Sequence, residues 1–340
     1  MILTNTERAL LEAAHKAFAE QTGLAVELVE KGLEQPAFLK IPDIDALEVI
    51  VDEGGGKNLP AALLYRKWLQ TPNRYVVVLP QVTAPKADAL RKDEIQFIDT
   101  AGNGYINQPP VYLFIKGNKT RNVIEAPATP RAFKQTGLKV LYALLCKPGL
   151  ENETYRTIAA KTGVALGMVD WVVKDLQTLG FLLETGSGRN RQLRLLKKER
   201  LLERWITAYA EQLRPKLLLG RYRGAVGWWE NANLKPEEAQ WGGEVAAAKM
   251  TSYLKPATVT IYVDRNNPAA VLLPNRLVKD PNGEVELVAR FWQPETIAPS
   301  GDMVHPLLVY ADLMATGNQR NLETARMIYD QHLAQLVRED

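Results

Sequence analysis

The stretch from Phe133 to Arg200 constrains this chain most, because its punctuation admits few arrangements. Leu138, Leu141, Leu144 and Leu145 recur at helical spacing from Gly137 to Lys147, and Pro148-Gly149 ends that helix. Glu153 to Thr162 reads as a second, short helix. Gly163 then offers the left-handed position that a tight turn between helices requires. A third helix from Leu166 to Leu179 buries Val169, Val172, Val173, Leu176 and Leu179, and Gly180 caps it. Two strand-like runs follow, Phe181 to Thr185 and Arg191 to Leu196. They are joined by the polar tip Gly186-Ser187-Gly188-Arg189-Asn190. Helix, helix, turn, helix and basic hairpin is the order of a winged helix-turn-helix.

The hairpin and its exit carry Arg189, Arg191, Arg194, Lys197, Lys198 and Arg200, opposed locally by Glu199 alone. Such a cluster neutralises phosphates and releases counterions, the main source of sequence-independent DNA affinity. Arg189, Arg191, Arg194, Lys197 and Lys198, with Lys174 of the third helix, are therefore the candidate contacts to double-stranded DNA. The third helix itself argues less clearly. Its outward side is expected to carry Gly167, Asp170, Trp171, Lys174 and Asp175, a set poor in the Arg, Asn and Gln that read base edges. A winged helix used only for docking to protein stays open on that ground.

With 340 residues the chain is long enough for two or three domains, each with its own core. The expected class is multidomain α+β. It comprises an amino-terminal small α/β domain over 1–125, a central winged helix-turn-helix over 131–200 and a carboxy-terminal α/β domain over 201–340. The formal net charge of +3 does not by itself argue for nucleic acid; basicity matters here because it is concentrated in the wing. The single Cys146 lies in an apolar helix and is expected to be a small core residue in a reducing compartment. The start lacks a basic segment leading into an apolar one, and no run is long enough for a membrane span, so a cytoplasmic protein without membrane contact is expected.

Along the amino-terminal region the pattern predicts a helix over 4–22, with capping-box spacing at Thr4 and Glu7. Strands are predicted at 25–29, 46–51, 74–79, 95–98 and 111–115, with helices over 60–69 and 87–91. Residues 122–130 read as a linker. Beyond the wing, a helix over 201–213 ends at Pro215. A third region begins near Leu217, with a helix over 244–254, strands at 258–263, 270–273 and 285–291, and two closing helices over 305–314 and 321–337.

Catalytic signals are scarce. Gly54-Gly55-Gly56-Lys57 lacks the flanking glycine and hydroxyl of a phosphate loop, since Val51 and Asn58 hold those positions, and reads as a turn. The histidines His15, His305 and His332 are scattered, and His305 before Pro306 reads as a helix start. No cofactor or metal is expected. Ile98 to Ile106 could place Asp99 at a strand end beside Asp52, Glu53 or Glu94 and Lys116, an echo of nucleases that use two acids and a lysine. The same residues are explained by Asp99 and Asn103 bracing a sharp turn around Gly102 and Gly104. A degenerate nuclease-like fold in the amino-terminal domain, or a metal-dependent nuclease targeted by the winged helix, is the rival reading.

Taken together, three features resemble one bacterial family. They are Ile98-Asp99-Thr100-Ala101-Gly102-Asn103, the central winged helix, and the closing segment His305-Pro306-Leu307-Leu308-Val309-Tyr310-Ala311-Asp312-Leu313 with Glu323-Thr324-Ala325. The chain resembles the AbiE-type (abortive infection) antitoxins of type IV toxin–antitoxin systems, in the longer branch with an extra amino-terminal domain. Tyr310 and Asp312 match that family's motif. The resemblance implies a non-enzymatic transcriptional regulator that binds its own promoter. It also implies opposition to a nucleotidyltransferase-like toxin encoded nearby, with the toxin-opposing role falling after about Leu217. A homodimer would suit paired half-sites, though nothing in the chain demands one.

Overall fold

The structure, a computed structural model, describes residues 5–30, 37–52, 74–119, 130–186, 191–293, 297 and 301–338. Outside them lie Thr4, the glycine-rich 54–57, the expected helix 60–69, Glu53, the 122–129 linker segment and the wing tip 187–190 with Arg189. The described residues divide into two compact units, one over residues 5–119 and one over residues 130–338.

In the first unit, helix α1 (Asn5–Thr22) is followed by seven strands whose spatial order is their chain order. These are β1 (Glu27–Glu30), β2 (Ala37–Lys40), β3 (Leu47–Val51), β4 (Tyr75–Leu79), β5 (Phe97–Asp99), β6 (Gly104–Gln108) and β7 (Val111–Ile115). β3, β4 and β5 run parallel, and the flanking pairs are antiparallel. Helix α2 (Ala84–Lys92) lies between β4 and β5 in sequence. The unbroken apolar run of β4 follows from its place mid-sheet, where Val76, Val77, Val78 and Leu79 are all buried. Leu10, Leu11, Ala14 and Phe18 form the inner face of α1, which packs across β3, β4 and β5.

The turn joining β5 to β6 is built for that packing. Asp99 is fully buried. Its Oδ1 accepts the backbone N–H groups of Ala101 (2.9 Å) and Asn103 (2.8 Å). Its Oδ2 accepts the Val82 N–H and the Asn103 side-chain amide, both at 2.8 Å. Burial pushes the Asp99 carboxyl up from its ordinary value, with these donors acting in the opposite direction. Gly102 adopts φ +78°, and a Cβ there would lie 2.8 Å from the Ala17 carbonyl oxygen of α1. At Gly104 a Cβ would meet the Phe18 ring at 2.5 Å. The string is thus a structural joint beneath α1, as the turn reading holds. Asp99→Ala leaves three backbone N–H groups without their acceptor and is expected to cost the first unit about 2–3 kcal/mol. Hydrogen exchange should then quicken across Val82 and Ala101 to Asn107; unchanged exchange there would contradict this role.

The second unit opens with a short 3-10 turn, Arg131–Phe133, and three mutually packed helices. They are α3 (Gln135–Cys146), α4 (Tyr155–Thr162) and α5 (Leu166–Thr178). Strands β8 (Leu182–Thr185) and β9 (Gln192–Leu195) follow as an antiparallel hairpin. Helix α6 (Lys198–Ala208) runs on through a π-helical turn, Tyr209–Leu213, into a last helical turn, Arg214–Leu217. Pro215 therefore does not end the helical run, against the sequence expectation. The π turn resets the backbone so that Pro215 falls in the first turn of the next segment, where its missing N–H costs nothing.

A five-stranded sheet completes the unit, in the order β11 (Ala239–Gly242), β12 (Val259–Val263), β14 (Val285–Ala289), β10 (Leu218–Arg223), β13 (Val278–Lys279). β12 and β14 are parallel, and the other neighbours are antiparallel. Helix α7 (Gly243–Thr251) packs on β11 and β12 and on α8 (Pro306–Thr316) and α9 (Gln319–Ile328). The strand expected at 270–273 is instead a helical turn, Ala269–Leu272, following Pro268. So short an apolar run carries no period of its own, and the proline just before it favours helix initiation.

The helical segment and the sheet share one aromatic core. Trp205 of α6 stacks on Tyr142 of α3 (5.4 Å) and on Tyr209 (4.9 Å). Tyr142 also meets Phe291 (5.0 Å) and Trp292 (5.8 Å), which follow β14. His305, at the start of α8, joins the same cluster: its Nδ1 accepts the Leu307 N–H at 3.2 Å and lies 3.4 Å from the Cys146 sulfur. Burial, and secondarily the charge of His332, lowers the His305 pKa from 6.5 to about 4. Burial pushes the Cys146 thiol well up, which keeps it protonated. Between pH 6.5 and 4 the unfolded chain binds a proton that folded His305 refuses, so stability is lost as pH falls through that window. The full loss approaches roughly 3 kcal/mol. His305→Asn keeps a capping side chain and removes the titration. Its melting temperature should fall less than that of the native chain between pH 7 and 4.5, and parallel curves would contradict the assignment.

Candidate nucleic-acid interface

The geometry of β8–β9 decides which of the basic residues face outward. Leu182 pairs with Leu195, Leu183 with Arg194, Glu184 with Leu193 and Thr185 with Gln192. Leu193 and Leu195 are buried, whereas Gln192 and Arg194 are exposed, the alternation of a strand with one wet face. Asn152, in the turn before α4, anchors the hairpin. Its amide donates to the Leu193 carbonyl at 2.9 Å, and its oxygen accepts the Leu193 N–H at 2.7 Å. One side chain thus satisfies both backbone groups of Leu193, as a third strand would. Sequence reasoning missed Asn152, for its partner lies 41 residues away.

Arg191 is fixed as well as exposed. It donates to Glu184 through Nε (2.8 Å) and Nη2 (3.2 Å) and to the Tyr155 hydroxyl (3.0 Å). The Tyr155 hydroxyl, then Glu184, holds the Arg191 pKa above its ordinary value, while the Arg191 hydrogen bond is the main cause lowering Glu184. Arg191 therefore ties the hairpin to the start of α4 and brings part of its counterion with it. Lys197 is half-buried with φ +50°, just before α6, and Lys198 opens that helix, also half-buried. Arg194 thus lies on the wet face of the hairpin, and Lys197 and Lys198 mark its exit; Arg189 falls outside the described residues.

Lys174 stands on the exposed side of α5, paired with Asp170 at 2.8 Å, one helical turn away. Beside it the Trp171 ring, nearly half exposed, carries the Arg131 guanidinium 3.7 Å from its centroid. Leu166 is comparably exposed. Asp175, expected outside, instead accepts the Ala132 N–H at 2.9 Å and so holds the 3-10 turn onto α5. The outward face of α5 is an aromatic and aliphatic surface edged by paired charges.

The acids and lysine of the nuclease reading are not drawn together among the described residues. Both Asp99 oxygens are occupied by protein donors, and Lys116 pairs with Asp88 of α2 at 2.6 Å. No group of three His, Cys, Asp or Glu side chains among the described residues is placed to hold an ion.

In the closing segment, Asp312 of α8 is buried and takes hydrogen bonds from several elements at once. It accepts Arg214 Nε (2.9 Å), the Tyr262 hydroxyl (2.9 Å), the Tyr209 hydroxyl (3.2 Å) and the Gly243 N–H (3.3 Å). Burial, then the charge of Asp312, pushes both phenols well up, so they stay donors. Arg214 continues to Glu286 of β14 (2.7 Å), which also holds Arg221 of β10. Tyr310 is buried, its ring 5.9 Å from that of Tyr329. Of the second string, Thr324 and Ala325 are buried in α9, and Glu323 accepts the exposed Tyr253 hydroxyl at 2.8 Å.

The fold is therefore that of a multidomain α+β protein whose second unit joins a three-helix and hairpin segment to a mixed sheet. Residues 194–334 match the family model described as "Transcriptional regulator, AbiEi antitoxin, Type IV TA system". That span is similar to the AbiEi antitoxin family, the family that the sequence strings resemble, and its model describes a transcriptional regulator. The match begins on β9 and ends beyond α9, so it covers the sheet and the Asp312 network but not α3, α4 or α5. No curated protein and no solved structure matches the chain. Among the described residues no helix is long and apolar enough to cross a membrane.

Proposed function

We propose that this chain is a DNA-binding transcriptional regulator and antitoxin of a type IV toxin–antitoxin system that binds its own promoter. The observation that carries the reading is the basic hairpin. It follows three packed helices in winged-helix order, is locked in place by Asn152 and Arg191, and leads directly into the AbiEi-type region. In this reading Arg189, Arg191, Arg194, Lys197 and Lys198 hold phosphates and Lys174 touches the duplex from α5. Phosphate contacts of this kind position a protein without reading bases. Operator choice would then come from the polar groups at the start of α4, Arg156 and Thr157 among them, or from DNA shape. The region after Leu217 is assigned the opposition to a nucleotidyltransferase-like toxin, and a homodimer on paired half-sites fits the same role.

The test is a gel-shift titration on the DNA upstream of the protein's own gene, at two salt concentrations and against scrambled competitor. A shift that survives competitor, weakens with salt and leaves the probe intact in magnesium is expected. The outward face of α5 favours one other reading, a docking surface for protein built on Leu166 and Trp171. Under it no competitor-resistant shift appears.

A further inference from the structure

A cavity of about 290 Å³ lies inside the second unit, between the helical segment and the sheet. One wall comes from Lys139 of α3 and from Gly163 at the end of α4. The other is formed by residues just past the carboxyl ends of the parallel strands β12 and β14, among them Asp264, Arg265, Arg290 and Trp292. Crevices at the carboxyl ends of parallel strands are habitual ligand sites, because the chain there fans into loops that need not pair. The size suits a small molecule.

The charge of the walls is unbalanced. Lys139, Arg265 and Arg290 face a cavity with one carboxylate, Asp264, an excess of two positive charges (three less one). Asp264 is committed to its own turn, accepting the Asn266 N–H at 2.8 Å. Arg290 donates to the carbonyl oxygens of Pro236 (3.3 Å) and Glu237 (3.0 Å), and Arg265 to that of Lys216 (3.3 Å). Carbonyls fix the direction of a guanidinium without neutralising it. Among the described residues none of the three cations has a carboxylate at ion-pair distance. Half-buried Lys139 shows the strain: burial, then the like charge of Arg265, lowers its pKa. Phe291 and Trp292 add an aromatic lining beside these charges.

We infer that this cavity binds a small phosphate monoester, with Lys139, Arg265 and Arg290 as its cationic ligands and the Phe291–Trp292 lining against its organic part. A phosphate monoester carries a charge of about −1.5 to −2 near neutral pH, which matches the excess on the walls. Bound there, it would bridge the helical segment and the sheet.

Isothermal titration calorimetry of the full chain tests this in phosphate-free buffer, with inorganic phosphate and adenosine monophosphate as probes. Saturable binding of the monophosphate, tighter than that of inorganic phosphate, is expected. Lys139→Gln and Arg265→Gln, each folded by circular dichroism, should weaken it at least about tenfold. Absence of heat with both probes, or equal affinity in the native chain and both variants, overturns the proposal. So does a result in which neither probe binds while the two variants lose DNA affinity, for the cations would then serve the DNA backbone.

Discussion

Replacing Asp312 with alanine is expected to lower the stability of the second unit by about 3–5 kcal/mol, the cost of stranding a buried charge. Arg214 is only one-fifth exposed and would retain Glu286 alone as its partner. The Tyr209 and Tyr262 hydroxyls, 2.6 Å apart, would lose the acceptor that orients both. The carboxylate joins α8, the helical extension at Arg214, β12 and the start of α7, so its loss loosens four elements together. Asp312→Asn separates charge from volume: it keeps the shape but offers no full counterion to Arg214, and an intermediate loss is expected. Urea unfolding followed by fluorescence of the buried Trp205 and Trp241 measures both. A change below about 1 kcal/mol for the alanine variant, the scale of an ordinary surface substitution, would contradict the network's role.

Trp205→Ala is the second large effect, also about 3–5 kcal/mol, from reduced burial and the cavity left behind. The indole is fully buried, stacks on Tyr142 and Tyr209, and donates Nε1–H to the Leu138 carbonyl at 2.8 Å. Those neighbours reach α3 on one side and the Asp312 network on the other. The helical segment and the sheet should therefore melt together and at a lower temperature in the variant. Two separated transitions, with α3 to α5 unaffected, would show that the aromatic core is not shared. Trp205→Phe restores a ring without the donor, and about 1 kcal/mol of the loss should remain, the ordinary worth of one hydrogen bond.

What residues alone reveal here is local. Pro148-Gly149, Gly163 at φ +65° and Gly180 at φ +69° punctuate α3, α4 and α5 where their chemistry requires, so the order of helices and hairpin is legible. The apolar run of β4 is equally plain. Short strands of mixed composition, such as β2, β6 and β11, have too few residues to establish a period and leave no clear signal. Pro215 and residues 270–273 mislead because a π turn and a single helical turn lie below the resolution of periodicity. At the candidate interface the basic residues are visible in sequence, but their availability is not. Glu184 and Tyr155 hold Arg191, and Asp170 holds Lys174; of these, only the four-residue step from Asp170 to Lys174 leaves a trace in the sequence. Asn152 and Asp312 act across 41 and 98 residues to Leu193 and Arg214, distances at which only the fold reveals a partner.

The most direct test of the DNA-binding account is the salt dependence of affinity for the upstream DNA, compared between the native chain and the variant Arg189→Ala, Arg191→Ala, Arg194→Ala. Removing three phosphate-binding charges should reduce the slope of log affinity against log salt by up to about 2.7. Arg191 is expected to contribute less than a full unit charge, because Glu184 already neutralises part of it. A weaker variant with a shallower slope is the predicted result. Unchanged affinity and an unchanged slope would contradict the account and leave the helices and hairpin as a surface for protein rather than DNA.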